Sequence, residues 1–399
     1  MQRRFVQLDS LRGLAAITVF FSHILLVSKV PLISIPISSV FLLPLNILAG
    51  NSSYSFVNFF FVLSGFVLFL LCTRGKSFSY NSFVIKRLFR LYIPYIVAII
   101  ISITACVFFS KKGINELSGW FNLSWKVPLT LKDMVDHILM IGNFNTNLYN
   151  NVIWSLVQEM RVSLIFPILA IIIYRVKWKI SLLLCICLSF VSGLNNIFHW
   201  EKNWGYHTSF FATLQIISMF ILGSLLAKHL NKMIELYLRF TRVKKIMLLL
   251  FTIACFIYNE VLTVIANYLG IYYYGEIMSD YSIGIGSVLL IFISLASGRA
   301  HSFLIIKPLL YLGRISYSLY LYHLPTLFSL VYLFYKIIPL WIIFIISIPL
   351  AILLAHFSWL LIENPANKYG KRIADKVETV VKKRLANKGN KRFDKYRIS

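Results

Sequence analysis

The sequence predicts an all-α, polytopic integral membrane helix bundle with about ten transmembrane helices and both termini on the inner side. Of its 399 residues, 59% are apolar, and the mean hydropathy of +0.77 is too high for a soluble domain. Ten apolar runs are long enough, or nearly so, to cross about 30 Å of hydrocarbon. The basic residues fall in short clusters between these runs and in a C-terminal tail.

The ten predicted spans are separated by polar or charged segments. The first span follows two arginines and resembles a signal peptide. We expect it to remain uncleaved, because it contains Arg12 and His23 and is not followed by an A-x-A-like cleavage site. The spans cover residues 11–29, 57–73, 91–109, 152–174, 180–198, 209–228, 246–268, 281–298, 309–334 and 338–361.

The distribution of lysine and arginine sets the expected orientation. With the N-terminus inside, the inner side holds 32 of these residues and the outer side holds six, as the positive-inside rule predicts. The net charge of +26 therefore reflects topology, and we expect membrane lipids but no nucleic acid as partners. The chain divides into a transmembrane domain, 1–363, and a basic cytoplasmic tail, 364–399, expected to be a solvated helix near anionic lipid.

The first span carries an arginine and a histidine on one helical face. Arg12 and His23 are eleven residues apart, which corresponds to roughly 16 Å along a helix axis and a rotation of about 20°. Asp9 precedes Arg12 by three residues and can orient its guanidinium. A neutral histidine at this depth can act as a general base. Alternatively, Arg12 reaches the inner headgroups and His23 bonds another helix.

Polar motifs also occur on the second and third spans. Ser64 and Gly65 lie within an apolar run, where small residues permit close helix approach. Lys86, Arg87 and Arg90 stand at the inner end of the third span. Such a cluster usually sets topology and contacts lipid, but Arg87 and Arg90 share a face and could clamp a phosphorylated ligand.

The outer end of the fourth span contains Trp154, Ser155, Glu159 and Arg161. The two charged residues are costly within an apolar helix, so they need partners or a cavity. An ion pair between helices is the structural alternative to a functional role.

The ninth span repeats the pattern of the first, with Arg314 at its inner end and His323 deep within it. Several tyrosines surround His323, and we expect a structural hydrogen bond between them. Glu363, followed by Asn364 and Pro365, closes the last span.

In this order, the motifs resemble those of the membrane acyltransferase-3 family. The resemblance runs from Asp9 to about Pro365. It comprises Arg-x10-His, F-F-x-L-S-G-F, K-R-x-x-R-x-x-x-P, W-S-L-x-x-E, S-Y-x-x-Y-L-x-H-x-P and a closing E-x-P. One departure concerns the outer chamber, because many members place a Phe-Tyr pair after the glutamate where this chain has Arg161-Val162-Ser163.

The resemblance implies an enzyme that transfers acyl groups, often acetyl, from cytosolic acyl-coenzyme A to sugars outside the cytoplasm. It implies that Arg12 and His23 are the essential pair, that Arg87 and Arg90 lie on the donor side, and that Glu159 belongs to the reaction chamber. Lys86 is a further candidate for donor binding. Acyl-coenzyme A is a substrate, and neither a metal nor a resident cofactor is expected.

We therefore predict a bacterial cytoplasmic-membrane O-acyltransferase, most simply an O-acetyltransferase. Its acceptor would be a glycan such as O-antigen, exopolysaccharide or a lipid-linked precursor. Arg12 and His23 would mark the two ends of a donor path without touching, and His23 would act as general base or carry the acyl group. The alternative is a transporter or flippase of a lipid-linked saccharide, which the lack of an internal repeat disfavours.

Overall fold

The computed structural model describes residues 5–28, 52–73, 78–110, 113–125 and 130–394, and these residues form helices and connecting loops without a β-strand. The predicted all-α class is confirmed. The helices are α1 (Val6–Val27), α2 (Ser52–Thr73), α3 (Tyr80–Phe109), α4 (Gly119–Leu123), α5 (Leu131–Leu139), α6 (Ile153–Arg175), α7 (Trp178–Phe198), α8 (Phe210–Leu238), α9 (Arg242–Ile257), α10 (Asn259–Tyr268), α11 (Gly275–Ala296), α12 (Gly298–Leu304), α13 (Lys307–Phe334), α14 (Leu340–Ser358) and α15 (Asn364–Asp394).

Eight helices in the described part of the chain are long and apolar enough to cross a membrane, and a bent pair makes a possible ninth. The chain is therefore a multi-pass membrane protein. The bent pair is α9 and α10, which meet at an angle of 59° within the predicted span 246–268. The predicted span 309–334 forms α13, whose 28 residues are long enough to cross but include many serines and tyrosines that lower its hydropathy.

Helices α1 and α13 pack together at a pair of glycines. A methyl group added to Gly13 would stand 2.5 Å from the backbone nitrogen of Gly313, and one added to Gly313 would stand 2.2 Å from the carbonyl oxygen of Asp9. Small residues allow this close approach of two helix backbones in a membrane protein. The helices run in the same direction, since His23 and His323 also meet, ten residues after each glycine.

The two ends of the bundle differ in composition. We call the end near Arg12, Arg90 and Arg314 the arginine end. We call the opposite end, which carries residues 113–125, 130–151 and 199–209, the cap end. Hydrogen bonds fix these loops to the bundle and to each other, because Ser118 donates to the carbonyl of Leu26 over 2.6 Å and the Trp125 indole donates to the carbonyl of Tyr149 over 2.9 Å.

The C-terminal tail is helical and returns to the bundle at the arginine end. Helix α15 packs against the start of α3, where Gly370 lies close to the Phe89 ring and Lys86 forms an ion pair with Asp375 at 3.2 Å. The tail is helical as predicted, but its first turns pack against protein, whereas the prediction was a solvated helix near anionic lipid.

The glycine contact between α1 and α13 should be essential for stability. Gly13→Ala places a methyl group against backbone atoms that cannot move aside, so we expect a loss of about 1–3 kcal/mol in the free energy of unfolding. Thermal unfolding in detergent micelles measures this loss. Gly298→Ala is the matched control, because a methyl group there meets no atom within 4 Å. Equal melting temperatures for the two variants would contradict the close packing.

Candidate functional site

The centre of the site is a hydrogen-bonded pair of histidines between α1 and α13. Nδ1 of His23 lies 2.9 Å from Nε2 of His323, and the two rings are stacked with centroids 5.2 Å apart. The predicted hydrogen bond between His323 and its neighbouring tyrosines is therefore wrong. The Tyr320 ring packs nearby at 5.9 Å, but its hydroxyl is bonded elsewhere.

The hydrogen bonds determine which nitrogen atoms carry protons when both rings are neutral. Nδ1 of His323 lies 3.1 Å from the carbonyl oxygen of Leu319, and a carbonyl can only accept, so this nitrogen is the donor. Nε2 of neutral His323 then accepts, and Nδ1 of His23 donates to it. In neutral His23 the unprotonated ring nitrogen is therefore Nε2, which takes no part in the hydrogen bond to His323.

Aromatic side chains enclose the pair. The Trp120 ring of the cap stacks on His23 with a centroid distance of 5.3 Å and an interplanar angle of 9°. On the other side, Phe20 packs on His323 at 5.3 Å. His323 is fully buried, whereas His23 keeps 8% of its surface exposed. His23 is therefore the more accessible of the two histidines.

Arg12 lies on the same helix as His23 but forms a separate contact. Its guanidinium donates to the Asp9 carboxylate over 3.0 Å, as the spacing of the two residues predicts. The unbroken helix from Val6 to Val27 keeps Arg12 roughly 16 Å from His23 along the axis. The two side chains thus stand at different depths in the bundle, as the sequence predicts.

Arg87 and Glu159 form a buried ion pair between α3 and α6. The Arg87 guanidinium donates to the Glu159 carboxylate over 2.7 Å and to the Ser163 hydroxyl over 2.8 Å. The Ser64 hydroxyl donates to the same carboxylate over 3.1 Å. Glu159 thus forms the ion pair between helices that is the structural alternative for the fourth span, and Arg87 lies in the interior rather than at a lipid-facing surface.

The other predicted donor-side residues remain at the arginine end. Arg90 is exposed, forms no ion pair with a described residue, and interacts electrostatically with Arg12 and Glu363. Lys86 is half-exposed and engaged with Asp375. Arg314 is also exposed, and its guanidinium lies 5.5 Å from the centre of the Trp359 ring.

The remaining predicted residues lie on α6 near the cap end. The Ser155 and Tyr320 hydroxyls bond each other at 2.7 Å. Arg161 donates to the carbonyls of Ile141, Thr208 and Ser209, to the Thr213 hydroxyl, and packs over Phe210 at 4.1 Å. These contacts tie α6 to two loops and indicate a structural role for Arg161. Trp154 lies in an aromatic cluster with Tyr54 and His207.

Sequence reasoning missed three contributors to the site. No motif distinguishes Trp120, and the Tyr320 bond to Ser155 depends on tertiary packing. The pairing of His23 with His323 has a signal in the sequence, since a glycine precedes each histidine by ten residues. Two helices that pack at those glycines bring the histidines to the same depth.

Comparisons with known proteins agree with this architecture. A family model described as an acyltransferase domain matches residues 5–360. The chain is 25% identical over 359 residues to the O-acetyltransferase OatA of Staphylococcus aureus strains NCTC 8325 / PS 47 and COL, covering 79% of this chain and 52% of each relative. The chain thus spans about half the length of these relatives. No solved structure matches.

The ion pair between Arg87 and Glu159 should contribute strongly to stability. Arg87→Ala or Glu159→Ala alone leaves an uncompensated buried charge, so each should lower the free energy of unfolding by about 3–5 kcal/mol. The double variant should lose less than the sum of the single losses. Chemical unfolding in detergent measures all three.

Lys86→Ala provides the control for this cycle. The Lys86 and Asp375 side chains of this ion pair are 43% and 55% exposed. Loss of the pair should therefore lower the free energy of unfolding by about 1 kcal/mol or less. Additive losses for Arg87 and Glu159 would show that the two residues do not interact.

Proposed function

Since the chain belongs to this acyltransferase family, we propose that it is a multi-pass O-acetyltransferase of the bacterial cytoplasmic membrane. It would move an acetyl group from cytosolic acetyl-coenzyme A to a hydroxyl group of an extracytoplasmic glycan or its lipid-linked precursor. The similarity to the O-acetyltransferase OatA of Staphylococcus aureus supports O-acetyl transfer. The observation that carries the mechanism is the histidine pair, whose hydrogen bonds leave Nε2 of His23 as the proton-accepting nitrogen inside a membrane helix bundle.

The proposal assigns the arginine end to the cytoplasm. The excess of lysine and arginine there supports this orientation under the positive-inside rule, with 32 such residues against six on the opposite side. Acyl-coenzyme A is found in the cytoplasm and carries several phosphate charges, so a positively charged mouth on that side suits it. The cap end, with Trp120 over His23, then faces the acceptor.

Arg90 and Arg12 are the best candidates to hold the phosphates of the donor. Both lie at the arginine end, and Arg90 is exposed without an ion pair to any described residue. Lys86 would assist from the surface. The pantetheine arm is about 15–20 Å long by ordinary bond geometry, which is comparable to the roughly 16 Å between Arg12 and His23. The thioester would therefore reach the histidine pair.

At that point His23 acts as the general base. Its Nε2 removes the proton of the acceptor hydroxyl while the oxygen attacks the thioester carbonyl, and the collapse of the adduct breaks the C–S bond. The proton passes from His23 to the departing coenzyme A thiolate. His323 accepts the hydrogen bond of His23 Nδ1 and thereby fixes the ring and its tautomer, as a second residue does in other histidine-dependent enzymes.

The Arg87–Glu159 pair has a different role in this proposal. It joins α3 and α6 beside Ser64, so it holds the walls of the donor path rather than binding phosphate. The domain boundary at residue 363 follows from the same picture, with the tail helix α15 forming a basic cytoplasmic extension.

Replacing His23 should abolish acetylation. His23→Ala removes the general base, and we expect at least a 100-fold loss of turnover with normal amounts of protein in the membrane. Mass analysis of surface glycans measures it, since each acetyl group adds about 42 Da by atomic composition. His323→Gln is the informative companion, because its amide oxygen can still accept a hydrogen bond and should preserve part of the activity. Normal acetylation in the His23→Ala strain would refute the mechanism, and loss of the whole polymer would indicate transport.

Replacing Arg90 should weaken donor binding. Arg90→Ala removes a charged contact with phosphate, so the KM for acetyl-coenzyme A should rise about 10- to 100-fold with little change in kcat. Steady-state kinetics in membrane vesicles measures both constants. Lys336→Ala, which removes an exposed cation at the cap end, is the control. An unchanged KM for Arg90→Ala would remove Arg90 from the donor site.

A further inference from the structure

A polar cavity opens at the cap end, away from the histidine pair. It has a volume of about 270 Å³ and lies between α2, α6, α7, α8 and α11. Trp154 of α6 lines it, whereas the next residue, Ser155, bonds Tyr320 of α13. The cavity and the histidine pair therefore adjoin different faces of α6. Neither His23 nor His323 contributes to its wall.

Four aromatic rings form one part of the cavity wall. Tyr54 stacks on Trp154 at 6.1 Å and packs on His207 at 5.2 Å. Tyr206 meets Trp154 edge-on at 5.3 Å. Such a group of adjacent rings presents π faces that attract a cation, and the attraction increases when water is excluded.

The floor of the cavity is a buried carboxylate. Asp280 is 3% exposed and accepts hydrogen bonds from the amides of Asn58 over 2.8 Å and Gln215 over 3.2 Å. Tyr54 is a third hydrogen-bond partner. Amide donors on both oxygens suit an ionised carboxylate, yet they are neutral and leave its charge uncompensated. Glu276, one helical turn earlier, adds a second carboxylate at the mouth.

No positive side chain offsets these carboxylates within the wall. No lysine or arginine is among the described residues that line the cavity. Burial lowers the pKa of the His207 imidazole below its ordinary value, against a smaller opposing effect of Glu276, so this ring is neutral at pH 7. The cavity is therefore acidic and should repel phosphates and carboxylates, including the acyl donor.

A metal ion is a poor occupant of this space. The described residues contain no group of three or more histidine, cysteine, aspartate or glutamate side chains that could hold one. The volume suits a molecule the size of a monosaccharide. A bare metal ion would also not account for the aromatic side chains in the wall.

We propose that this cavity binds a small organic cation, an ammonium group carried on a polar molecule such as an amino sugar. The ammonium group would lie between Asp280 and the rings of Tyr54 and Trp154, and hydroxyl groups of the ligand would bond Asn195 and Asn203, which also line the cavity. This site is independent of the acetyl transfer proposed above and needs neither His23 nor the acyl donor.

Calorimetry on the purified full-length protein in lipid nanodiscs tests the proposal without acetyl-coenzyme A. Glucosamine is the cationic probe and N-acetylglucosamine is its neutral counterpart with the same ring. Glucosamine should bind at least tenfold more tightly. Asp280→Asn should weaken glucosamine binding about 10- to 100-fold, as expected for the loss of a charged hydrogen-bond partner. Choline binding as tight as that of glucosamine would show that the ammonium group alone is recognised, and it would also support the proposal.

Three variants keep the outcome interpretable. Glu276→Gln should also weaken binding, and because Glu276 is exposed this variant does not depend on refolding a buried site. Glu116→Gln removes an exposed carboxylate elsewhere at the cap end and should change nothing. His23→Ala should bind glucosamine normally even when acetylation is lost. Equal affinity for both sugars, or no binding of either, would overturn the proposal whatever the outcome for acetyl transfer.

Discussion

The backbone contact between Gly13 and Gly313 determines where the chemical groups of this protein lie. Because neither residue has a side chain, α1 and α13 approach closely at that point and run side by side. Ten residues further along both helices, His23 and His323 are brought within hydrogen-bonding distance. A larger residue at the crossing would separate the helices and with them the histidines. The catalytic arrangement that we propose therefore depends on this one contact between the backbones of α1 and α13.

The cost of burying polar groups explains how the arginines divide into two classes. Arg87 lies in the interior, where an unpaired charge is expensive, and it is paired with Glu159 and Ser163. Arg161 is likewise satisfied by backbone carbonyls. Arg90 is exposed to solvent at the arginine end and has no such partner among the described residues. Arg87 and Arg161 therefore stabilise the bundle through their partners. Of these three arginines, Arg90 is the one whose guanidinium could bind an anion.

Hydropathy, charge distribution and helical spacing predicted the helices and the common face of Arg12 and His23. These features are local, so the sequence contains them directly. The partners of Arg87 and His323 could not be predicted in this way, because the paired residues are 72 and 300 positions apart and meet only through helix packing. The bend between α9 and α10 was also missed, although Asn259 and Glu260 interrupt the apolar run directly after Tyr258. Asp280 was missed because it lies one residue before the predicted span 281–298, and no local motif distinguishes it.

The two ends of the bundle differ in charge in a way that would keep two ligands apart. The anionic acyl donor that we propose would be attracted to the arginine end and repelled by the carboxylates of Asp280 and Glu276. A cationic ligand has the opposite preference. The contacts that run from the cavity towards the histidines pass through Ser155 and Tyr320, which bond each other. Tyr320 in turn packs against His323, so the acidic cavity is connected to the histidine pair through intervening side chains and does not share a wall with it.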